Sequence, residues 1–333
     1  MESDSLPQAY KAFVSKEGDL PRRLTEVPLR LPGDDQVLVK VSFAPLNQTD
    51  LVTSEGKHKI SIRPPYLVGL EASGIVVAVG PNLKVSHKVG DKVHVHSKGS
   101  HAQYVLAYSQ DVSEIKGDLS MEEAASHIIN PATVAYMVSL AARGGHKAVV
   151  NTAASSQLGK MLIRALKEKG IKSINTVRSN KYIEELKQGG ADYVLNSESA
   201  DFEAQLKDIA AKEEATIAFD AINGDFTDKL VKILPANSTV HVYGSLGGVV
   251  KYRLIDEIKF DDNKLVTGLI YPTYIGEFKQ RGELSKFYEE IHTPLKTMYK
   301  SEVHKIYPVD DILEAIAYYE KNSSKGKILI KYN

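Results

Sequence analysis

The stretch VVNTAASSQLGKMLIRALKEKG, residues 149–170, runs from an apolar strand through a short turn into an amphipathic helix. Such a turn can hold a pyrophosphate, because backbone N–H groups and the positive end of the helix dipole face the anion. Laid over the three-glycine dinucleotide fingerprint, it sets Ala154, Ser156 and Gly159 at the glycine positions, with Ser155 inside the turn. Gly159 allows close packing of helix on strand, and Ala154 is the small residue the first position needs. Ser156 adds bulk but offers a hydroxyl to a phosphate oxygen, and the N–H groups of Gln157 and Leu158 open the helix towards it. Taken alone, the same residues also suit an ordinary strand–turn–helix. The next strand ends as NTVRSNK, about 20 residues on, where an acid would bond a free ribose 2′-hydroxyl and a base a 2′-phosphate. Arg178 and Lys181 stand there, with no acid before Glu184. The expected cofactor is therefore NADPH rather than NADH.

A second cluster, HKVGDKVHVHSKGSH, brings together His87, His94, His96 and His101. His94 and His96 would share a strand face and His101 could return across a hairpin, the geometry of a three-histidine metal site. No matching carboxylate accompanies them, and no metal is expected.

These side chains need elements to position them. The chain has 333 residues, 43% hydrophobic and 25% charged, which suits two ordinary globular domains. Its 42 basic and 42 acidic residues cancel, so no net field favours nucleic acid or an anionic membrane, and a small molecule is the expected partner. The absence of cysteine excludes disulfides and every zinc site that needs a thiolate. No apolar run is long enough to span a membrane and MESDSLPQAYK lacks signal-peptide character, so a cytoplasmic protein is expected.

Residues 8–118 carry short Val-rich runs between turn clusters (QVLVKVSF, SGIVVAVG, DKVHVHS, QYVLAY), the pattern of an all-β domain. S-M-E-E at Ser120 is a capping box, and a further helix runs from near Pro131 to Gly144. Strand runs KAVVNTA, SINTVR, DYVLN, TIAFDAI and TVHVYGS then alternate with helices over 157–169, 181–188, 202–212 and 226–234, which predicts a parallel sheet with helices on both faces. KLVTGLI (264–270) adds a strand, and a helix is read around 276–300. The tail from Val303 is strand, helix, strand, its last strand alternating as a half-buried antiparallel one and rejoining the β domain.

In this order the chain resembles the zinc-free branch of the medium-chain dehydrogenase/reductases, in particular quinone oxidoreductases and mitochondrial-type 2-enoyl thioester reductases. The resemblance is carried by APLNQTDL (44–51), PPYLVGLEASGIVVAVG (64–80), HKVGDKV (87–93), NPATVAY (130–136), TAASSQLGKMLIR (152–164), GADYVLNS (190–197), FDAINGDFTDKL (219–230) and VYGSLGG (242–248). It implies an α/β architecture: a GroES-like β-barrel domain from residues 1–122 and 290–333, and a Rossmann doubly wound parallel-sheet domain over 123–289. Zinc-dependent members carry a Cys where this chain has Asn47 and a His where it has Leu70, so zinc-assisted alkoxide chemistry is not expected.

The resemblance further implies that Thr133 lies by the nicotinamide carboxamide and Asn47 by its ribose. Tyr243, Gly244 and Ser245, with Leu269 and Ile270, would line the cofactor, while Ala221 and Ile222 would border the adenosine. Tyr271 and Tyr274, just beyond, are candidates for substrate contact. The family's Tyr proton donor falls at His58, whose ordinary pKa of about 6.5 suits the same task; the bland reading is a loop histidine flanked by Lys57 and Lys59. The expected activity is NADPH-dependent reduction of an enone, enoyl thioester or quinone, with His58, Asn47 and Thr133 as catalytic residues. The alternative is a non-catalytic or structural subunit that keeps the fold and NADPH binding. A homodimer, paired through KLVTGLI as the sheet edge, or a place in a larger assembly is expected.

Overall fold

β-Branched side chains fit a pleated, half-buried surface, and the Val-rich runs form strands accordingly. A computed structural model describes residues 6–17, 19–55, 66–253, 257–292 and 294–332. The N-terminal strands are β1 (Ala9–Val14), β2 (Arg23–Pro28), β3 (Gln36–Pro45), β4 (Glu71–Val79), β5 (Lys92–His96), β6 (Tyr104–Tyr108) and β7 (Val112–Glu114). This part is not wholly β, because α1 (Gln48–Ser54) follows β3. Asn47 takes extended backbone there, and its N–H donates to the Asp50 carboxylate at 2.8 Å. The capping box at Ser120 opens α2 (Met121–Ala124): Ser120 Oγ accepts from Glu123 N at 3.1 Å and Glu123 Oε2 from Ser120 N at 2.9 Å. Such reciprocal caps contribute about 1 kcal/mol.

The central segment follows the predicted alternation. It comprises α3 (Ile129–Arg143), β8 (Ala148–Asn151), α4 (Gln157–Glu168), β9 (Lys172–Val177), α5 (Ile183–Gln188), β10 (Tyr193–Asn196), α6 (Phe202–Lys212), β11 (Ile217–Asp220), α7 (Asp225–Ile233), β12 (Thr239–Val242), β13 (Glu257–Phe260), β14 (Lys264–Gly268), α8 (Tyr271–Gln280) and α9 (Leu284–His292). The sheet order is β10-β9-β8-β11-β12-β14-β13, and every pair is parallel except β13 with β14. Strand order reverses between β8 and β11, where consecutive βα units leave on opposite sides of β8. Val150, Ile174, Leu206, Ala218, Leu230 and Val240 fill one core of this unit.

KLVTGLI, expected at the edge, is instead interior: β14 lies between β12 and β13. The reason is a hairpin. Asp262 and Asn263 adopt positive φ (55° each), which Asp and Asn tolerate, and so fold β13 back along β14. The single helix read around 276–300 is two, α8 and α9.

Within this unit His241 of β12 stacks on Phe219 of β11, ring centroids 5.5 Å apart. Burial pushes its imidazole down to about 4, and His146 adds to the shift; burial lowers His146 as well. A histidine whose folded pKa lies below its unfolded value stabilises the fold above about 6.5 and loses that contribution as pH falls to about 4, since the unfolded chain takes the additional proton. Urea unfolding is therefore expected to lose about 3 kcal/mol between those pH values through His241, and His241→Phe to flatten the profile. An identical slope in both proteins rules this assignment out.

The chain then returns through β15 (Val303–Pro308), α10 (Ile312–Asn322) and β16 (Lys327–Lys331). β16 runs parallel to β15 and antiparallel to β3, in a sheet ordered β15-β16-β3-β4-β5-β7 with β6 also on β3. The last strand is not half-buried as its alternation suggested: Lys327 to Ile330 are all buried, because β16 is an inner strand under α10. The core here includes Phe13, Val39, Leu46, Val93, Ile316 and Ile328. The two compact units are residues 1–129 with 301–333, and 130–300; the boundaries expected from the sequence stood at 122/123 and 289/290. Among the described residues no helix is long and apolar enough to cross a membrane.

Candidate functional site

In an open α/β sheet, ligands bind beyond the carboxyl ends of the strands, at the point where strand order reverses. That point is the gap between β8 and β11, and it is built from buried polar groups. Asp220, closing β11, is fully buried. It accepts from Thr152 Oγ1 at 2.9 Å, Ile222 N at 2.9 Å, Asn223 N at 3.2 Å and Thr227 Oγ1 at 2.6 Å. Thr152 Oγ1 in turn accepts from Ala221 N at 2.8 Å. One carboxylate thus ties the end of β8 to the β11 turn and to α7.

Ser156 is the N-cap of α4, with extended backbone and Oγ accepting from Gly159 N at 3.0 Å. That bond leaves its O–H hydrogen to donate outward. Gly159 is required by space: an added Cβ would lie 2.6 Å from Ala154 Cα and 2.7 Å from Ala154 O. The turn's positive φ falls at Ala153 (49°), one residue before Ala154. Arg178, one residue past β9, and Lys181 are both exposed, and Lys181 Nζ lies 4.7 Å from the centre of the Tyr182 ring.

The predicted residues of this unit converge in topology. Ala154 to Gly159 follow β8, Arg178 and Lys181 follow β9, and Ala221 and Ile222 follow β11. Tyr243 to Ser245 follow β12, and Leu269 and Ile270 follow β14, so all lie at carboxyl ends of one parallel ladder. The Tyr243 hydroxyl is buried without a hydrogen-bond partner among the described residues, and burial raises its pKa, with Asp220 adding. Thr133, in the first turns of α3, shares a 2.9 Å hydrogen bond with Tyr274 OH, and the Tyr274 ring stacks on Tyr136 at 4.5 Å. Tyr274 is 1% exposed, so it acts on Thr133, whereas Tyr271 is half-buried and bonded to Tyr288 OH at 2.6 Å. His58 lies outside the described residues.

Asn47 belongs to the first unit and sits in a buried polar cluster that sequence reasoning missed. Its Nδ2 donates to Glu71 Oε1 at 3.0 Å, and its Oδ1 accepts from Lys327 Nζ at 2.5 Å. Glu71 Oε2 also accepts from Ile128 N and Ile129 N, both at 3.0 Å. Asp50 lies 3.3 Å from His101 Nε2, while His101 Nδ1 meets Tyr332 OH at 3.2 Å. Burial lowers the Lys327 pKa, and Glu71 and Asp50 act in the opposite direction. Asp50 was visible as the acid of NQTD, but nothing local marks Lys327, 280 residues from Asn47. The histidines disperse: His87 Nε2 meets Ser109 O at 2.9 Å and His94 Nδ1 meets Ala124 O at 2.8 Å. Among the described residues no group of three metal-ligating side chains is placed to hold an ion.

Residues 33–138 match the family model described as alcohol dehydrogenase GroES-like domain, and residues 157–285 that described as zinc-binding dehydrogenase. The mitochondrial enoyl-[acyl-carrier-protein] reductase of Caenorhabditis elegans is 32% identical over 65% of this chain; the match spans 63% of that relative, less than two thirds of its length. A Mesorhizobium loti structure described as an NADPH:quinone reductase superposes with a TM-score of 0.85 at 27% identity, covering 98% of this chain and 99% of that one. Escherichia coli quinone oxidoreductase, solved with NADPH, shares the fold at a TM-score of 0.82 and 20% identity over 97% of this chain and 99% of its own. With the two family domains following one another over residues 33–138 and 157–285, and superposition on the Mesorhizobium loti structure over 98% of the chain, the chain belongs to the medium-chain dehydrogenase/reductase family.

Proposed function

We propose that this protein is a zinc-independent, NADPH-dependent reductase of activated double bonds, acting on an enone, an enoyl thioester or a quinone. The observation that carries the reading is the Ser156–Gly159 turn at the point where strand order reverses, with Arg178 and Lys181 free to meet a 2′-phosphate at the end of the neighbouring strand. A pyrophosphate fits this donor set: a 12-residue helix opening on it and the Ser156 hydroxyl. Bound NADPH supplies the hydride. The chain's own residues bind and orient it, and Thr133, braced by Tyr274, is suited to hold the carboxamide end. Zinc independence is supported by Asn47, whose side chain is engaged by an ammonium and a carboxylate at the position of a thiolate ligand. His58 stands at the family's proton-donor position, so proton delivery to the α-carbon is assigned to it. β13 is an open edge of the second unit's sheet and would be the strand along which two copies pair.

Fluorescence titration is expected to show NADPH binding more tightly than NADH, with Arg178→Ala costing NADPH about tenfold and NADH little. NADPH oxidation should then follow with at least one of an enone, an enoyl thioester and a quinone, and His58→Ala should lower kcat. No NADPH binding ends this reading; binding without turnover on all three classes moves the protein to the non-catalytic subunit.

A further inference from the structure

The two faces of β8 and β9 differ in kind. Alternation turns Ala148, Val150 and Ile174 into the apolar core shared with Phe202 and Leu206 of α6 and Leu230 of α7. The opposite face, on which Ile163 of α4 meets Val177 of β9, carries Asn151, Asn175 and Ser173. Asn151 and Asn175 are fully buried and stand side by side in the parallel ladder. Burying an amide costs free energy even when it is hydrogen-bonded, and an apolar pair of like size would stabilise the sheet as well or better. Stability therefore does not account for the pair.

The hydrogen bonds of this seam run in one direction. Asn175 Nδ2 donates to Tyr193 O at 3.0 Å and to Ser173 Oγ at 2.9 Å, while its Oδ1 accepts from Asn151 Nδ2 at 2.9 Å. Asn151 Nδ2 also donates to Gly159 O at 3.2 Å, in the first turn of α4. Tyr193 O and Gly159 O are backbone carbonyls and only accept, so the two ends of the chain admit a single orientation of both amides. Asn151 Oδ1 is buried without a hydrogen-bond partner among the described residues. What the site uses of this residue is its NH2 group. Apolar packing along α4 has no direction and tolerates small slides, whereas a hydrogen bond to one backbone carbonyl fixes a point. Gly159 is the position in that turn with no side chain to anchor it.

We propose that Asn151 and Asn175 are positioning residues for the pyrophosphate turn. Tied through Gly159 O to β8, β9 and β10, the first turn of α4 is held where Ser156 Oγ and the N–H groups of Gln157 and Leu158 meet the diphosphate. Both amides are fully buried and act only through the turn. The inference rests on the reductase reading above for its ligand, and on the seam alone for the tie.

Asn151→Val and Asn175→Val, singly and together, test it. NADPH Kd by fluorescence titration is expected to rise about tenfold in each single variant and no more than about twofold further in the double, because the amides act as one chain. The urea midpoint of the double variant should equal or exceed the native one. A pair with a merely structural role would instead lower midpoint and affinity together, and that result overturns the proposal. Adenosine 2′-monophosphate, which has no pyrophosphate, should keep its native Kd in the double variant; a loss equal to that of NADPH also overturns it. One readout needs no nucleotide. Gly159 N and Lys160 N donate to Ser156 Oγ and Ser156 O, and their hydrogen exchange should quicken about tenfold in the double variant while the β11 amides keep their rates. Native exchange at these two amides in the folded variant refutes the tie. If Val at both positions prevents folding, Asn151→Ala removes the donor to Gly159 O without added bulk, and native exchange and Kd in that protein refute it equally. A native protein that binds no NADPH refutes only the reductase reading, and the exchange rates then decide the tie.

Discussion

Asp220→Ala is expected to lower the unfolding free energy by about 4 kcal/mol and to weaken NADPH binding with it. Hydrogen bonds to a charged group are each worth about 1.5–3 kcal/mol, and a buried donor left without its acceptor costs about 1–3 more. Asp220 receives four such bonds at full burial, from two hydroxyls and two backbone N–H groups. The hydroxyls can turn to other acceptors, but the N–H groups of Ile222 and Asn223 are fixed by the turn, which is why the expected loss is below the simple total. Asp220→Asn keeps the shape yet presents one acceptor oxygen instead of two, so about half the loss is expected. Because the same carboxylate joins Thr152 of the β8 turn to Ile222 and Asn223 of the β11 turn, the gap between β8 and β11 should widen in either variant. Urea denaturation and NADPH titration measure the two effects; a change below about 1 kcal/mol in the Ala variant refutes the role given to Asp220.

Gly159→Ala sets two effects of opposite sign against each other. Ala is favoured over Gly within a helix by about 1 kcal/mol. Against this, the added Cβ would stand 2.6 Å from Ala154 Cα, 2.7 Å from its O and 2.8 Å from its C, all backbone atoms that no rotamer change can move. Relief requires the first turn of α4 to lift from the β8 turn, and the Ser156 Oγ to Gly159 N bond goes with it. Overpacking of this kind costs about 1–3 kcal/mol and the cap about 1. Packing is expected to win, with a net destabilisation of about 2 kcal/mol and NADPH affinity reduced more than tenfold, since the displaced turn is the one offered to the pyrophosphate. A more stable Gly159→Ala protein with native affinity would show that helix propensity decides at this position and that the turn is not the binding element.

Both residues mark how far local sequence reaches. The turn at residues 153–159 is written in consecutive residues: a β-branched strand, a Ser that caps, a Gly where helix and strand touch, and an amphipathic helix over Gln157–Glu168. The capping box at Ser120 and the helices of the βαβ units were visible for the same reason, as caps and periodicity act over one or two turns. Asp220 stood in the quoted FDAINGDFTDKL with three of its partners, Ile222, Asn223 and Thr227, but the fourth, Thr152, lies 68 residues upstream, and only folding brings it to the same carboxylate. The edge strand was misread because the stretch before KLVTGLI offers only a short, half-polar strand and an Asp-Asn turn, and pairing reveals it as the outer member of a hairpin. KILIK alternates like a half-buried strand, yet both its faces are covered, since coverage depends on which strands and helix come to lie beside it.

By itself, the sequence determined the two kinds of unit, the strand–helix alternation from β8 to β12, the absence of thiolate chemistry and the residues at the carboxyl ends of the parallel strands. Local propensity, capping and periodicity are encoded within a few residues of where they act. The tertiary structure alone decided that Lys327 faces Asn47 across 280 residues of chain, that Asp220 gathers the crevice, and that Tyr274 reaches Thr133. Register between distant strands and the burial of charge against charge are collective outcomes, settled by the packing of the whole unit and by no segment alone.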